Sequence, residues 1–342
     1  MPSHFRPTTP GDAEAISILM KAVFDLGPDH PGLNAQQMDW KYWQEWSEWP
    51  GSRGFVMERD SNILAHGAVI PLTLTWSGQC LRLVHLIDWA ARSDSTGAGI
   101  ALLKRVGQMV DGIFVPGGSP TSQKILPALG FRPLGTAVRF ILPLHPLARL
   151  PDSWHSWKGA ARFARSLTLS ALRGSLKTVP PEWRARPISS PELISCVLAN
   201  SEATGQIARF MRSSSALMHL LRCPSAPASL YAVAREDVTC GYFVLMMAGR
   251  QCRIADAWVM PDQEDNWHNL FALTIEEAKT RPNIAELVAV ANTDVEMRAL
   301  RWAGFPRCGQ IPLWLWLRSG NIPDAVRYQM ADGDYAYLHD GM

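Results

Sequence analysis

The chain repeats itself, and that repeat limits what it can fold into more than any other feature. Arg6-Pro7, with Pro10 ahead of a helix-like stretch from Ala13 to Phe24, returns as Arg186-Pro187 with Pro191, again before a helical stretch. GFVMERDSNILAHGAVI (54–70) is matched by LYAVAREDVTCGYFVLM (230–246). Each reads as two β-rich runs about a polar turn, with a glycine (Gly67, Gly241) before an apolar run, the pattern of a hairpin. LIDWA (86–90) is matched by IADAW (254–258), an apolar strand holding a carboxylate, and PALGFRPLG (127–135) by RWAGFPRCG (301–309). The order is kept throughout, at offsets from 168 residues (86 to 254) to 181 (10 to 191). Each copy reads β–α–α–β–β–β–α–β–α–β, an α+β layer architecture with a mixed, mostly antiparallel sheet flanked by helices.

The copies occupy 1–144 and 186–318 of 342 residues, a length that fits two ordinary domains. Between them, 145–185 carries a basic stretch, WKGAARFARSLTLSALRGSLK, in which Lys158, Arg162, Arg165, Arg173 and Lys177 accompany an apolar stripe. It reads as a linker helix with solvated charges, or as a surface for an anionic lipid or substrate. The tail, 319–342, is placed to return onto one of the domains. A net charge of +2 gives no footprint for a nucleic-acid partner. No apolar run approaches the roughly 20 residues that insert stably across a membrane, and the start, MPSHFRPTTPGD, lacks the apolar core of an export signal. A cytoplasmic protein is expected. The six cysteines show no metal-ligand spacing and no CxxC pair, so reduced, mostly buried thiols and no metal are expected.

The segment with chemical promise is LVHLIDWAARSDSTGAGIALLKRVGQMV (83–110). An apolar strand runs into a polar loop, then glycines, then an amphipathic helix with Leu102, Leu103, Val106 and Val110 on its inner face. Gly97 and Gly99 stand where the helix begins. Bare backbone there lets an anion approach the first free N–H groups, assisted by the helix dipole, and a pyrophosphate suits such a place. A tight turn explains the same glycines equally well.

In its surroundings this segment resembles the pyrophosphate loop of the GNAT acyltransferases, Arg/Gln-x-x-Gly-x-Gly/Ala after a strand, here Thr96-Gly97-Ala98-Gly99-Ile100-Ala101. FRPTTPGDAEAI resembles the family's opening strand and helix, and SPTSQKILPALGFRPLG (119–135) its late helix ending in Gly-Phe. The resemblance covers 1–144 and, more faintly, 186–318. With DWAARSDSTGAGIALL and the upstream WKYW, the chain looks like bacterial GNAT proteins linked with cell-surface polysaccharide synthesis. The resemblance implies an acyltransferase moving an acetyl or other acyl group from acyl-CoA to an amine or hydroxyl, on a small-molecule amine or amino-sugar acceptor. It implies that the backbone of Trp89, Ala90 and Ala91 pairs with the pantetheine arm. Thr96, Gly97, Ala98, Gly99, Ile100 and Ala101 then wrap the pyrophosphate, while Ser119, Ser122 and Gln123 lie near the thioester. Two departures bear on activity. Thr96 replaces the usual Arg or Gln, and Leu126, followed by Pro127, stands where many members place the tyrosine that protonates the leaving thiolate. The general acid is then a different group, or water, or the chain is a non-catalytic CoA binder.

Asp88 is the leading candidate base, because a carboxylate in an apolar strand is costly unless paired and has a raised pKa when it is not. A structural carboxylate satisfied by backbone donors or an arginine is the alternative, and Asp256 at the matching place in the second copy favours a shared structural role. His85 is the second candidate; three residues from Asp88, it is expected on the opposite strand face. Asp94 reads as a turn or helix-start residue. The second copy lacks the glycines, carrying WVMPDQEDNWHNLFALTIEEA with Asp262, Glu264 and Asp265, whose charges repel phosphate. Trp40, Trp43, Trp46 and Trp49 recur every three residues; on one α-helix they drift by about 60° per step and do not share one buried stripe. They read as packing, or as an aromatic cradle for an amine or sugar. An aminoacyl transferase of the FemAB-like kind, acting on a cell-wall precursor, uses a similar duplicated fold, but Gly97 and Gly99 favour CoA as donor.

Overall fold

The computed structural model describes residues 3–145, 164, 168, 178–201, 207–281 and 283–338; the basic stretch with Lys158, Arg162, Arg165, Arg173 and Lys177 lies outside the described residues. The first half runs β1 (His4–Pro7), α1 (Ala13–Phe24), α2 (Ala35–Met38), β2 (Gly54–Arg59), β3 (Asn62–Trp76), β4 (Gln79–Ala91), α3 (Ala98–Gly107), β5 (Gly112–Pro116), α4 (Pro120–Ile125) and β6 (Arg132–Pro143). The second runs β7 (Trp183–Ile188), α5 (Ser195–Ser201), β8 (Ala208–Phe210), α6 (Ser214–Leu221), β9 (Ala228–Arg235), β10 (Val238–Ala248), β11 (Gln251–Val259), α7 (Glu264–Lys279), β12 (Glu286–Ala291), α8 (Asp294–Trp302) and β13 (Arg307–Leu317). A short β14 (Val326–Arg327) lies in the tail. The expected element order recurs in both halves, with β8 added in the second.

The repeat has a local cause. Both hairpins, β2–β3 and β9–β10, turn on two successive residues with positive φ, Asp60 and Ser61 in one and Glu236 and Asp237 in the other. Such a turn has the hand that matches strand twist. The apolar face of α3 packs as its spacing predicts, with Leu102, Leu103, Val106 and Val110 all buried.

The sheet is continuous, in the order β1-β2-β3-β4-β5-β13-β6-β12-β11-β10-β9-β7. Read inward from either edge the arrangement is the same, and the two readings meet at an exchange. The last strand of the second half, β13, pairs antiparallel with β5, from Leu313 opposite Pro116 to Leu317 opposite Gly112. The last strand of the first half, β6, pairs antiparallel with β12, from Glu286 opposite Pro143 to Ala291 opposite Val138. Segments 1–144 and 186–318 thus share one sheet. The tail segment β14 pairs with β8, and β8 in turn pairs with β3 at Leu74 and Thr75.

The cysteines form no disulfide; Cys223 and Cys252 are buried, whereas Cys80 and Cys196 are exposed rather than buried as expected. No helix among the described residues is long and apolar enough to cross a membrane.

Candidate active site

The site begins with an irregularity in β4. Across the β3–β4 ladder Ala68 faces Ile87 and His66 faces Ala90, so Asp88 and Trp89 together oppose the single residue Gly67. This is a β-bulge, with Asp88 in the left-handed region at φ 52°. The extra residue changes which way side chains point. Trp89 turns toward α3, its Nε1 donating to the Gly99 carbonyl at 3.0 Å. Asp88 turns the other way, onto the face of Ile87 and Ala90, which pack with α1. His85 is on that face as well, against Phe114 and Gly333. The expectation that Asp88 and His85 take opposite faces held only for a regular strand; the bulge brings both to one side.

Below the bulge, β4 and β5 run parallel for three pairs, Leu83–Gly112 to His85–Phe114, and then part. β4 continues past this point to Ala91, and α3 begins seven residues later at Ala98. Gly97 caps that helix at φ 84° with no side-chain hydrogen bond, and a Cβ there would meet nothing within 4 Å, so this backbone faces open space. Gly99 differs. It is buried, and a Cβ would lie 3.2 Å from the Ala91 Cβ and from Trp89 Nε1, so glycine at 99 lets α3 pack closely on β4. Thr96 is exposed beside the cap. Asp94 is a turn residue, bound by Arg92 (2.7 Å) and Ser95 (3.2 Å). On α4, Ser119 caps the helix by accepting from Ser122 N at 3.1 Å, and Gln123 Nε2 donates to the Gly118 carbonyl at 2.9 Å. Leu126 is buried in the core beneath α3.

Asp88 is held through one oxygen. Lys41 Nζ (2.7 Å) and the Tyr42 hydroxyl (2.6 Å) both donate to its Oδ2. Burial alone would raise this carboxyl, but these partners hold it below its usual range, not above it as an unpartnered strand carboxylate would be. Burial lowers His66 to about 4 and His85 to about 3, so both are neutral at pH 7. The buried His85 Nδ1 has no hydrogen-bond partner among the described residues.

The tail completes this side. A Cβ at Gly333 would lie 2.9 Å from His85 Nδ1, so only glycine passes here. The Tyr335 hydroxyl lies against Gly117, at the end of β5 where the strands have parted, and a Cβ at Gly117 would overlap it. Arg253 Nη1 donates to the Tyr335 carbonyl at 2.8 Å and pins the segment. Between these residues, Asp334 shares a small cavity with Lys41, Asp88 and Tyr337. Burial, then the charge of Asp88, pushes the Asp334 carboxyl up to about 7 against the pull of Lys41. Neither Lys41 nor any tail residue was singled out from sequence; the only signal was an acid- and tyrosine-rich segment, MADGDYAYLHDGM, at the end of the chain.

The four tryptophans escape the single-helix geometry because the segment is not one helix: α2 passes into a π-turn at Asp39–Trp43 and then a bend closed by a Trp46–Trp49 bridge. Trp40, Trp46 and Trp49 are buried. His219 from α6 stacks on Trp40 (4.6 Å) and on Trp46 (4.1 Å), joining the halves.

The corresponding part of the second half holds a cavity lined by Arg209, Arg212, Asp256, Trp258 and Arg327. Asp256 repeats the pattern of Asp88, bound by Arg212 (2.9 Å) and the Tyr242 hydroxyl (2.8 Å). Asp262 accepts from Trp267 Nε1 (2.7 Å) and from Arg327 of the tail (2.9 Å), and Glu264 from Arg298 (2.6 Å). Arg327 and Arg209 each lie 4.7 Å from the ring of Trp258. Of the three acids that sequence marked as repelling phosphate, Asp262 is paired with the buried Arg327 and Glu264 with the exposed Arg298, whereas Asp265 is itself exposed.

Two halves, each with a bulged fourth strand parting from a parallel fifth, match known structures over nearly their whole length. A GCN5-related N-acetyltransferase from Anabaena variabilis superposes with a TM-score of 0.62 at 12% identity, over 93% of this chain and 73% of that one. The chain has a tandem GNAT fold. Saccharomyces cerevisiae N-myristoyltransferase with bound myristoyl-CoA gives 0.59 at 12% identity, over 92% and 82%. A GCN5-related N-acetyltransferase from Kribbella flavida gives 0.56 at 11% identity, over 92% and 71%. No protein-family model matches the sequence, and no curated protein matches it.

Proposed function

We propose that the first half of this GNAT fold binds acyl-CoA and that the chain transfers the acyl group to an amine. The observation that carries the reading is the opening between β4 and β5 ahead of a helix N-terminus that no side chain caps. Bound acyl-CoA supplies an activated thioester. Within Thr96–Ala101 the N–H groups of Ala98 and Ala101 donate to the Ser95 and Gly97 carbonyls, and those of Thr96, Gly97, Gly99 and Ile100 suit its pyrophosphate, while the strand edge at Trp89–Ala91, beyond the last β5 pair, suits its pantetheine arm. Ser119, Ser122 and Gln123 are assigned to the thioester end of the same ligand, although in the free chain they are committed to capping and loop closure.

Acyl transfer then needs a positioned amine, a base and a proton for the departing thiolate. Asp334 is the base we assign: it is raised to about 7, so it is both available and basic near neutral pH. Asp88, held low by Lys41 and Tyr42, positions Lys41 and the tail. Tyr335 is the acid, its hydroxyl at Gly117 standing where the parted strands leave room and where Leu126 cannot serve. A backbone N–H of β4 beside the bulge stabilises the oxyanion. His85 stays neutral beneath the tail.

Thermal unfolding with acetyl-CoA and with myristoyl-CoA tests the reading on the native chain, Thr96→Glu and Thr96→Arg. Ligand at about 100 times its dissociation constant adds about 2.7 kcal/mol. The exposed Thr96→Glu places a carboxylate beside the cradle and should remove the shift, whereas Thr96→Arg should keep or enlarge it. Native protein silent to both acyl-CoAs would end the proposal.

A further inference from the structure

The acceptor side of the site carries its own selection. A cleft of about 670 Å³, counting its open mouth, lies between the halves. It meets the smaller cavity beside Asp88 and Asp334 at Lys41 and Tyr337, which line both. The carboxyls of the candidate site thus stand one side chain away from the cleft, behind Lys41 and Tyr337.

Much of the wall is apolar, built from Val69, Ile70 and Leu72 of β3 and Leu217 and Leu220 of α6, with Thr73 and several charged side chains between. The aromatic faces that a sugar would stack on are already used: His219 covers Trp40 and Trp46, the Arg53 guanidinium lies 5.3 Å from the Trp46 ring, and Tyr337 meets Trp40 edge-on.

The charges of the lining are nearly all spent within the protein. Lys41 is paired with Asp88. Arg53 donates to the carbonyls of Lys41, Gln44 and Trp40. Arg212 bridges Asp256 and Asp332. Burial holds His219 at about 3, neutral. Glu48 is the exception. Among the described lining residues it is the one carboxylate, and it has no cationic partner, receiving only the Ser213 hydroxyl on Oε1; Arg53, held by carbonyls alone, is the cation that shares the cleft. A half-buried carboxylate in a partly apolar cleft attracts a cation more strongly than one in open water, because the surroundings screen it less.

Resting on the acyl-transfer reading, we propose that the acceptor is a diamine with an apolar spacer: one amine is acylated beside Asp334, and the second, as an ammonium, is received by Glu48. Polyhydroxylated amino sugars are disfavoured, since the walls offer their hydroxyls few partners.

The test measures initial rates of CoA release from acetyl-CoA, or from myristoyl-CoA if only that stabilises the protein. Acceptors are α,ω-diaminoalkanes of about three to eight carbons, n-alkylamines of equal length, and glucosamine. The native chain should favour the best diamine over its matched monoamine by about tenfold or more in kcat/KM. Glu48→Gln, which keeps the Ser213 hydrogen bond, should abolish that preference by raising KM for the diamine, and Glu48→Asp should restore part of it. Equal use of diamines and monoamines at every length, a preference that survives Glu48→Gln, or better use of glucosamine would overturn the proposal. An acyl-CoA thermal shift without turnover of any amine would overturn it while leaving the CoA site standing; no shift at all would remove both.

Discussion

Removing the Lys41 ammonium isolates the central charge pair of the site. The Lys41 and Asp88 side chains are 4% and 6% exposed and their charged atoms lie 2.7 Å apart. At an effective dielectric of about 20 the direct attraction is about 6 kcal/mol, most of it offset by the cost of taking both ions out of water. Deleting one partner keeps that desolvation cost without its compensation. Lys41→Met should therefore destabilise the fold by about 3–5 kcal/mol. At about 2 °C per kcal/mol for a chain of this size, the midpoint falls by about 6–10 °C. Lys41→Met with Asp88→Asn should lose less than the two single changes summed, with a coupling of at least about 2 kcal/mol. The pH dependence supplies a sign. In the native chain the folded-state pKa of Asp88 is depressed, so its contribution is present above the unfolded value near 4 and lost as pH falls through the folded value. Without the lysine the buried carboxyl is raised, and its stability is instead lost as pH rises. The deficit of Lys41→Met should thus shrink between pH 8 and pH 5. Additive losses in the double variant, with a deficit flat across that range, would refute the reasoning.

Asp334→Asn should lower kcat by about a hundredfold or more at pH 8. The native rate should rise with pH through an apparent pKa near 7, as Asp334 loses its proton, and that limb should vanish in the variant. Tyr335→Phe should slow turnover by about a hundredfold while leaving KM for acyl-CoA within about twofold, since the hydroxyl is needed for proton transfer; a stopped thioester assay across pH measures both.

The architecture was readable because it rests on local rules repeated twice. The polar hairpin turns, the apolar stripe of α3 and the Gly-Phe endings each mark an element regardless of the rest of the chain. The candidate site was only half readable. Gly97 announces a special backbone by position alone, whereas Gly99 looks the same in sequence and serves packing, a difference set by Trp89 and Ala91 across the gap. The orientation of Asp88 depends on a bulge that strict alternation cannot anticipate. Lys41, Asp334 and Tyr335 reach β4 and β5 from far away in sequence, and no spacing rule links such residues. The tryptophans pack, as one of their two readings had it, but their geometry was not legible, because a π-turn and a bend replace the single helix their three-residue period was measured against.

The exchange of final strands also has a consequence for biosynthesis. The edge of β5, complete at residue 116, waits for a partner strand that ends at residue 317, 201 positions later. At about 5–20 residues per second, that edge stays open for about 10–40 seconds on the ribosome. An unprotected edge is a template for pairing with other nascent chains. Chains truncated before β13 should collect as insoluble material, so a fragment that ends after the first copy is a poor route to a minimal enzyme.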